Sequence, residues 1–223
     1  PDEKNTRLFT VFGEDEWAAT RRFSLIGGVK VEHNQDTGFE WQPALRAKWA
    51  LPHRQLLWGG GARVVRTPNR FDRELLVNVA VTPREPLPPV AVFIDGSPTF
   101  GSESARSLEA GYRVQHAAGS VDVTTFYGSY VNLIAPQSRP PVPELWTGVP
   151  VLAIHNVLTN NGSATASGAE VAGTWTPVKR AGFAGSYSWL HLSLAAATSP
   201  VTQPVRSEEH TSELQSRFGI SYA

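Results

Sequence analysis

Four arginines stand within eleven residues, at Arg63, Arg66, Arg70 and Arg73. A guanidinium is a planar fork of N–H donors that fits two oxygens at once, so the cluster could grip an anionic metal chelate through carboxylate or catecholate oxygens. It has an equally simple structural use. Charged side chains on a wall pair with acids, and Asp72, Glu74 and Glu103 are candidates for that role. Three aromatics in the long connections described below, Phe93, Phe100 and Trp146, either form a collar over a hydrophobic or aromatic ligand or pack as loop core.

Little else in the chain points to chemistry. The six histidines, at 33, 53, 116, 155, 191 and 210, show neither HExxH nor another close ligand spacing, and there is no cysteine. No GxSxG, P-loop or distinctive carboxylate pair is present, and Gly59-Gly60-Gly61 lacks the distal glycine of a dinucleotide fingerprint. No enzyme activity, metal site or cofactor is expected. The glycine triplet reads instead as room for a twisted strand or a close neighbouring side chain, and Asn161-Gly162-Ser163 reads as a turn.

Composition narrows the classes. Twenty Lys plus Arg balance twenty Asp plus Glu, so no net basicity points to nucleic acid. With 41% hydrophobic and 18% charged residues the 223-residue chain is not a disordered one, and it holds no apolar run of 18 residues for a membrane helix. Membrane-spanning strands pass that filter. The opening Pro1-Asp2-Glu3-Lys4, in a chain without methionine, predicts a processed protein or a piece of a longer reading frame.

The C-terminus reads as foreign. Arg206 to Ser216 and Ile220 to Ala223 look like the translation of a common DNA-sequencing adapter, matching fifteen of eighteen positions, so residues 206–223 are set aside as a non-native tail. The tail carries two Arg and three Glu, and its removal leaves 18 cationic and 17 anionic side chains in residues 1–205.

The elements that must position the arginines are strands. From Phe39 to Trp49 the odd positions Phe39, Trp41, Pro43, Leu45, Ala47 and Trp49 are apolar, while Glu40, Gln42, Arg46 and Lys48 fall between them. Phe23–Val31 and Arg106–Gln115 alternate likewise, and Thr6–Phe12, Gln55–Val65, Val121–Val131, Ser167–Thr176 and Ala181–Leu192 do so more weakly. Period two predicts eight strands, each with a greasy and a wet face. On the clearest of them Phe39, Trp41, Leu45 and Trp49 share one face, and Glu40, Arg46 and Lys48 the other.

Short connections at Ala18–Thr20, Leu51–His53, His116–Gly119 and Pro177–Lys179 alternate with longer ones at His33–Gly38, Arg70–Ala105 and Leu133–Pro150. That sorting is the pattern of an antiparallel up-and-down transmembrane β-barrel, with tight turns on one side of the bilayer and long loops on the other. Trp17, Trp49, Trp175 and Phe183 lie near the short turns, as one interfacial girdle would. The alternatives are a passive porin-like barrel and a secreted carbohydrate-binding β-sandwich; a plug domain upstream of Pro1 separates gated transport from a porin, and detergent dependence separates both from the sandwich.

Several segments carry a resemblance in order along residues 9–192: Glu14-Asp15-Glu16-Trp17, Leu25 to Asn34, Trp41 to Trp49, Arg63 to Pro68 with its Arg66-Thr67-Pro68 ending, Arg70-Phe71-Asp72-Arg73, Ser102-Glu103 with Leu108 to Arg113, Val121 to Asn132, and Ser167 to Val171 before Trp175-Thr176-Pro177. Together they resemble the β-barrel of TonB-dependent outer-membrane receptors. The resemblance implies about eight strands of a roughly 22-stranded barrel over residues 1–205, located in the bacterial outer membrane. It also implies energised uptake of a scarce nutrient, a ferric siderophore foremost. The implied partners are outer-membrane lipid, a metal chelate or other small nutrient, and the TonB energy-coupling complex acting through missing N-terminal parts; no nucleic acid is among them. Arg63, Arg66, Arg70, Arg73 and Trp146 are the candidate ligand-binding residues.

Overall fold

A computed structural model of the chain describes residues 7–178 and 181–195; the tail assigned to 206–223 lies outside them. The described residues form eleven strands and one short helix: β1 (Leu8–Ala18), β2 (Phe23–Asn34), β3 (Gly38–Leu51), β4 (Gln55–Arg66), α1 (Arg70–Glu74), β5 (Leu76–Arg84), β6 (Leu87–Asp95), β7 (Glu103–His116), β8 (Gly119–Ser138), β9 (Val142–Trp146), β10 (Val149–Val178) and β11 (Ala181–Ala195). The eight expected strands are β1 to β4, β7, β8, β10 and β11. They pair in one antiparallel sheet that does not close: β1 and β11 are not paired to each other.

Register carries each face across the wall. Trp17 lies opposite Leu25, and the row continues through Ala47, Gly59, Ala110, Thr125 and Ala169 to Trp189. Two residues nearer the short turns runs a row of Phe23, Trp49, Leu57, Tyr112, Val123, Val171 and Tyr187. Of the expected girdle, Trp17 and Trp49 fall in these two rows, whereas Trp175 and Phe183 pair with each other nearer the β10–β11 turn. On β3 the apolar side chains point to solvent, with Phe39, Trp41, Leu45 and Trp49 exposed by 68%, 59%, 58% and 49%. The opposite face holds the charges, where Lys48 pairs with Glu16 at 2.9 Å, Lys30 with Glu32 at 2.9 Å, and Arg113 with Asp122 directly across from it. This is a water-soluble sheet turned inside out, the arrangement of a wall whose outer solvent is hydrocarbon.

Glycines on the wall make room for large neighbours. A Cβ at Gly111 would fall 2.4 Å from the indole of Trp58, its cross-strand partner on the polar face. A Cβ at Gly61 would come within 2.8 Å of Leu108 Cδ2 on the apolar face. Within the triplet, Gly61 makes room for the Leu108 side chain and Gly60 for the approach of β3, where a Cβ would fall 2.7 Å from the Leu45 carbonyl oxygen.

Above the wall the structure adds what alternation did not show. The connection between β4 and β7 contains α1, β5 and β6, and the connection between β8 and β10 contains β9. β10 is 30 residues long and begins at Val149 instead of Ser167. Its first residues pair with β9 (antiparallel) and β6 (parallel), and β5 pairs with β6, so the same eleven-stranded sheet continues upward from the barrel wall as an upper sheet. The buried cluster sits here, formed by Ala91, Phe93, Val151 and Ala153 with Trp146 packed against it. A segment of β10 enclosed in this way loses its polar alternate positions, which is why Val149–Ile154 gave no period-two signal. The turn expected at Asn161-Gly162-Ser163 is instead a bulge inside β10, where the register to β8 slips on both sides of Gly162; such a bulge bends a strand without ending it.

With apolar residues outward and its two edge strands unpaired, the isolated chain is expected to aggregate in detergent-free buffer and to disperse in detergent. Sedimentation in the two conditions checks this, and a monomeric, cooperatively melting product in plain water would contradict the membrane-facing orientation of the wall.

Candidate functional site

The four arginines divide into two pairs of different character. Arg66, at the end of β4, donates from Nε to Glu103 and from Nη1 to Asp72 Oδ2 at 2.9 Å. Both acids are buried. Asp72 also closes the capping box of α1, accepting the Asn69 N–H at 3.0 Å while Asn69 Oδ1 accepts the Asp72 N–H at 2.9 Å. Glu103 Oε1 accepts the Ile134 N–H at 2.5 Å. Arg66 thus ties β4 to α1, β7 and β8. Arg70 and Glu74 pair at 2.8 Å one turn apart on the exposed side of α1.

Arg63 and Arg73 have looser carboxylate partners. Arg63 donates to the Trp41 carbonyl and holds Nη2 3.6 Å from Glu40 Oε2; Arg73 donates to the Phe100 carbonyl at 3.2 Å and holds Nε 3.4 Å from Asp36 Oδ1. These four charged residues line one cleft of about 420 Å³, together with Ser104, Asn132 and residues 98–102. α1 brings Arg73 over the β2–β3 turn that carries Asp36, and β4 carries Arg63 beside Glu40 of β3. With five N–H donors apiece, both guanidinium groups retain unused donors after these contacts.

The cleft joins Arg63 to Arg73 but not to the other candidates. Arg66 and Arg70 do not line it. Trp146 lies in β9, its ring edge-on to Phe93 with centroids 4.8 Å apart. Phe93 and Phe100 are 0% and 1% exposed, so the two are loop core and present no ring surface to an incoming molecule. Asp72, Glu74 and Glu103 were legible as acidic partners, whereas Asp36 and Glu40 were not named. Their signal was positional, since both lie at the long-loop end of β2 and β3, the end where Arg63 also sits.

Comparison with known proteins agrees with this architecture. The family described as TonB dependent receptor-like, beta-barrel matches residues 1–223. The ferric enterobactin receptor of Pseudomonas aeruginosa is 31% identical over 68 residues, which are 30% of this chain and 9% of that protein. Among solved structures, the siderophore receptor PirA of Pseudomonas aeruginosa superposes with a TM-score of 0.69 at 17% identity, covering 84% of this chain and 35% of its own. The ferric enterobactin receptor PfeA of the same organism gives 0.68 at 21%, covering 83% and 26%, and the copper transporter OprC gives 0.58 at 15%, covering 83% and 29%. At these identities the superpositions establish the fold, and the chain spans about a third or less of each structure. An open antiparallel wall, apolar outward and charged on its other face, thus coincides with a family match along the whole sequence: the chain belongs to the TonB-dependent receptors, as part of their outer-membrane β-barrel.

Proposed function

We propose that this chain is part of the wall of a receptor for energised uptake of a scarce nutrient, with an anionic ferric siderophore as the foremost ligand, and that the Arg63–Arg73 cleft is where the ligand meets the wall. The observation that carries the reading is the pairing geometry: two guanidinium groups share one open cleft with donors to spare and carboxylates held only at 3.4–3.6 Å. An anionic oxygen can enter such a site by taking the free donors, with no need to break a tight ion pair. The names of the siderophore receptors with which the chain aligns support the ligand class. TonB coupling would act through parts of the receptor outside this chain, and the outward apolar face would meet outer-membrane lipid.

In the complete receptor, replacing Arg63 and Arg73 together by Gln is expected to weaken binding of a ferric siderophore by about 1.5–3 kcal/mol, with incomplete additivity. Equilibrium titration with ferric enterobactin at low and high salt checks this, because attraction of an anion to two partly exposed guanidinium groups fades as the Debye length shrinks. An unchanged Kd in normally assembled mutant barrels would remove the cleft from the ligand path. Uptake that continues in cells lacking TonB would replace the energised reading with passive diffusion.

A further inference from the structure

His155 occupies an unusual position in the upper sheet. It lies on β10 opposite Phe93 of β6, and the two rings stack with centroids 5.0 Å apart and planes 12° from parallel. Nδ1 is 2.7 Å from Asp95 Oδ2 on β6, and Nε2 is 3.3 Å from Glu144 Oε2 on β9. One imidazole therefore faces a carboxylate at each nitrogen, and each carboxylate belongs to a different strand. Register explains the convergence: Val157 pairs with Asp95, and Val151 with Glu144, so all three ionisable groups stand on the face that carries Phe93, Val151, Ala153 and Trp146. Asp95 Oδ1 is buried and takes no hydrogen bond. Among the described residues, no lysine or arginine pairs with Asp95 or Glu144, and β10 between Val149 and Val157 contains no other ionisable side chain. The backbone around the ring is fixed independently, with the Arg139 N–H donating to the His155 carbonyl at 2.8 Å and Asn156 Nδ2 to the Phe93 carbonyl at 3.2 Å.

A neutral imidazole has one N–H and one lone pair, whereas an imidazolium has two N–H donors. In the neutral form one of the two carboxylates would face a lone pair in a partly desolvated place, a repulsive contact that costs part of the burial of the strand bearing it. In the charged form both bonds are charge-assisted and the three strands are bound through a single ring. We propose that His155, Asp95 and Glu144 form a proton-dependent clasp of the extracellular sheet, closed when His155 is charged and loosened when it is neutral. The strand released is β9, whose longer contact to Nε2 is the weaker of the two, and its release frees Trp146 from Phe93. The sign follows from the donors: with both ring nitrogens protonated each carboxylate is bonded, and when one proton leaves the contact to β9 weakens.

The test uses the complete receptor in lipid or detergent. Hydrogen exchange over residues 142–155, corrected for the intrinsic pH dependence of amide exchange and referenced to wall strands β2 to β4, is measured between about pH 5.5 and 8.5, the range in which a histidine ordinarily changes charge. Protection of β9 is expected to fall roughly tenfold across that range, the size of one partly exposed charge-assisted bond. His155→Gln should make protection independent of pH, and Glu144→Gln, which leaves the Asp95 contact intact, should reduce the amplitude. Flat protection in the unaltered receptor overturns the proposal, as does an unreduced pH response in Glu144→Gln. The second variant keeps the test decisive where His155→Gln fails to assemble.

Discussion

Arg66→Gln is expected to lower the thermal stability of the assembled barrel by about 2–4 kcal/mol, the lower part of what breaking a buried ion pair costs, because the guanidinium itself is half exposed and partly screened. The partners decide the magnitude. Asp72 and Glu103 are 5% and 8% exposed, and loss of the arginine leaves two carboxylates near one another without a counter-charge. Their other bonds, to Asn69 and Ile134, hold them in place and so prevent escape to water. Arg70→Gln, in an exposed pair one helical turn apart, should change stability by no more than about 0.5 kcal/mol. Heat-induced loss of the compact barrel on electrophoresis compares the two directly. Equal losses in both variants would mean that Arg66 is not a brace.

Leu45→Arg should be comparably damaging, for a reason that has no counterpart in a soluble protein. Leu45 is midway between Trp41 and Trp49 on the apolar face of β3, which places it near the middle of the hydrocarbon layer, where an arginine on the lipid face costs about 2–4 kcal/mol. Leu145 offers a control. It is 72% exposed, more than Leu45 at 58%, but it lies on β9 in the upper sheet, and the same substitution there should stay within about 0.5 kcal/mol. Equilibrium unfolding in lipid vesicles compares the two positions. A tolerated arginine at Leu45 would contradict the assignment of that face to lipid.

What sequence reasoning recovered, and what it missed, follows from how many faces of a strand are wetted. Strands β1 to β4, β7, β8 and β11 have one apolar and one polar surround, so alternation marks them, and Phe39, Trp41, Leu45 and Trp49 fall on one side as period two requires. β5–β6 and β9–β10 are local hairpins, but what joins them into one region is β6 against the start of β10, with Ala91 opposite Ala153 far along the chain; no local pattern encodes that choice. The arginine cluster shows the converse error. Closeness in sequence suggests one site, but three residues along a strand change face, and on α1 Arg70 pairs with Glu74 while Arg73 reaches Asp36 and the Phe100 carbonyl. Arg63 and Arg73 meet in one cleft while Arg66 turns to the buried acids. Their counter-ions Asp36 and Glu40 arrive from other strands, which proximity in the sequence does not reveal.

The path of the β4–β7 connection sets an order on assembly. β4 and β7 are hydrogen-bonded neighbours, yet the chain between them travels past β7 and β8 to place β6 alongside β10 before returning. A barrel that gains strands in sequence therefore has β4 and β7 joined while β5 and β6 still lack their seat, since Leu152 to Val157 are some sixty residues further along the chain. Contacts of such high sequence separation form late, because the loop-closure entropy is spent before they return anything. Until β10 arrives, Val90 to Ile94 are an apolar strand without that partner, and whatever shields its edge during insertion shapes how often the receptor matures at all.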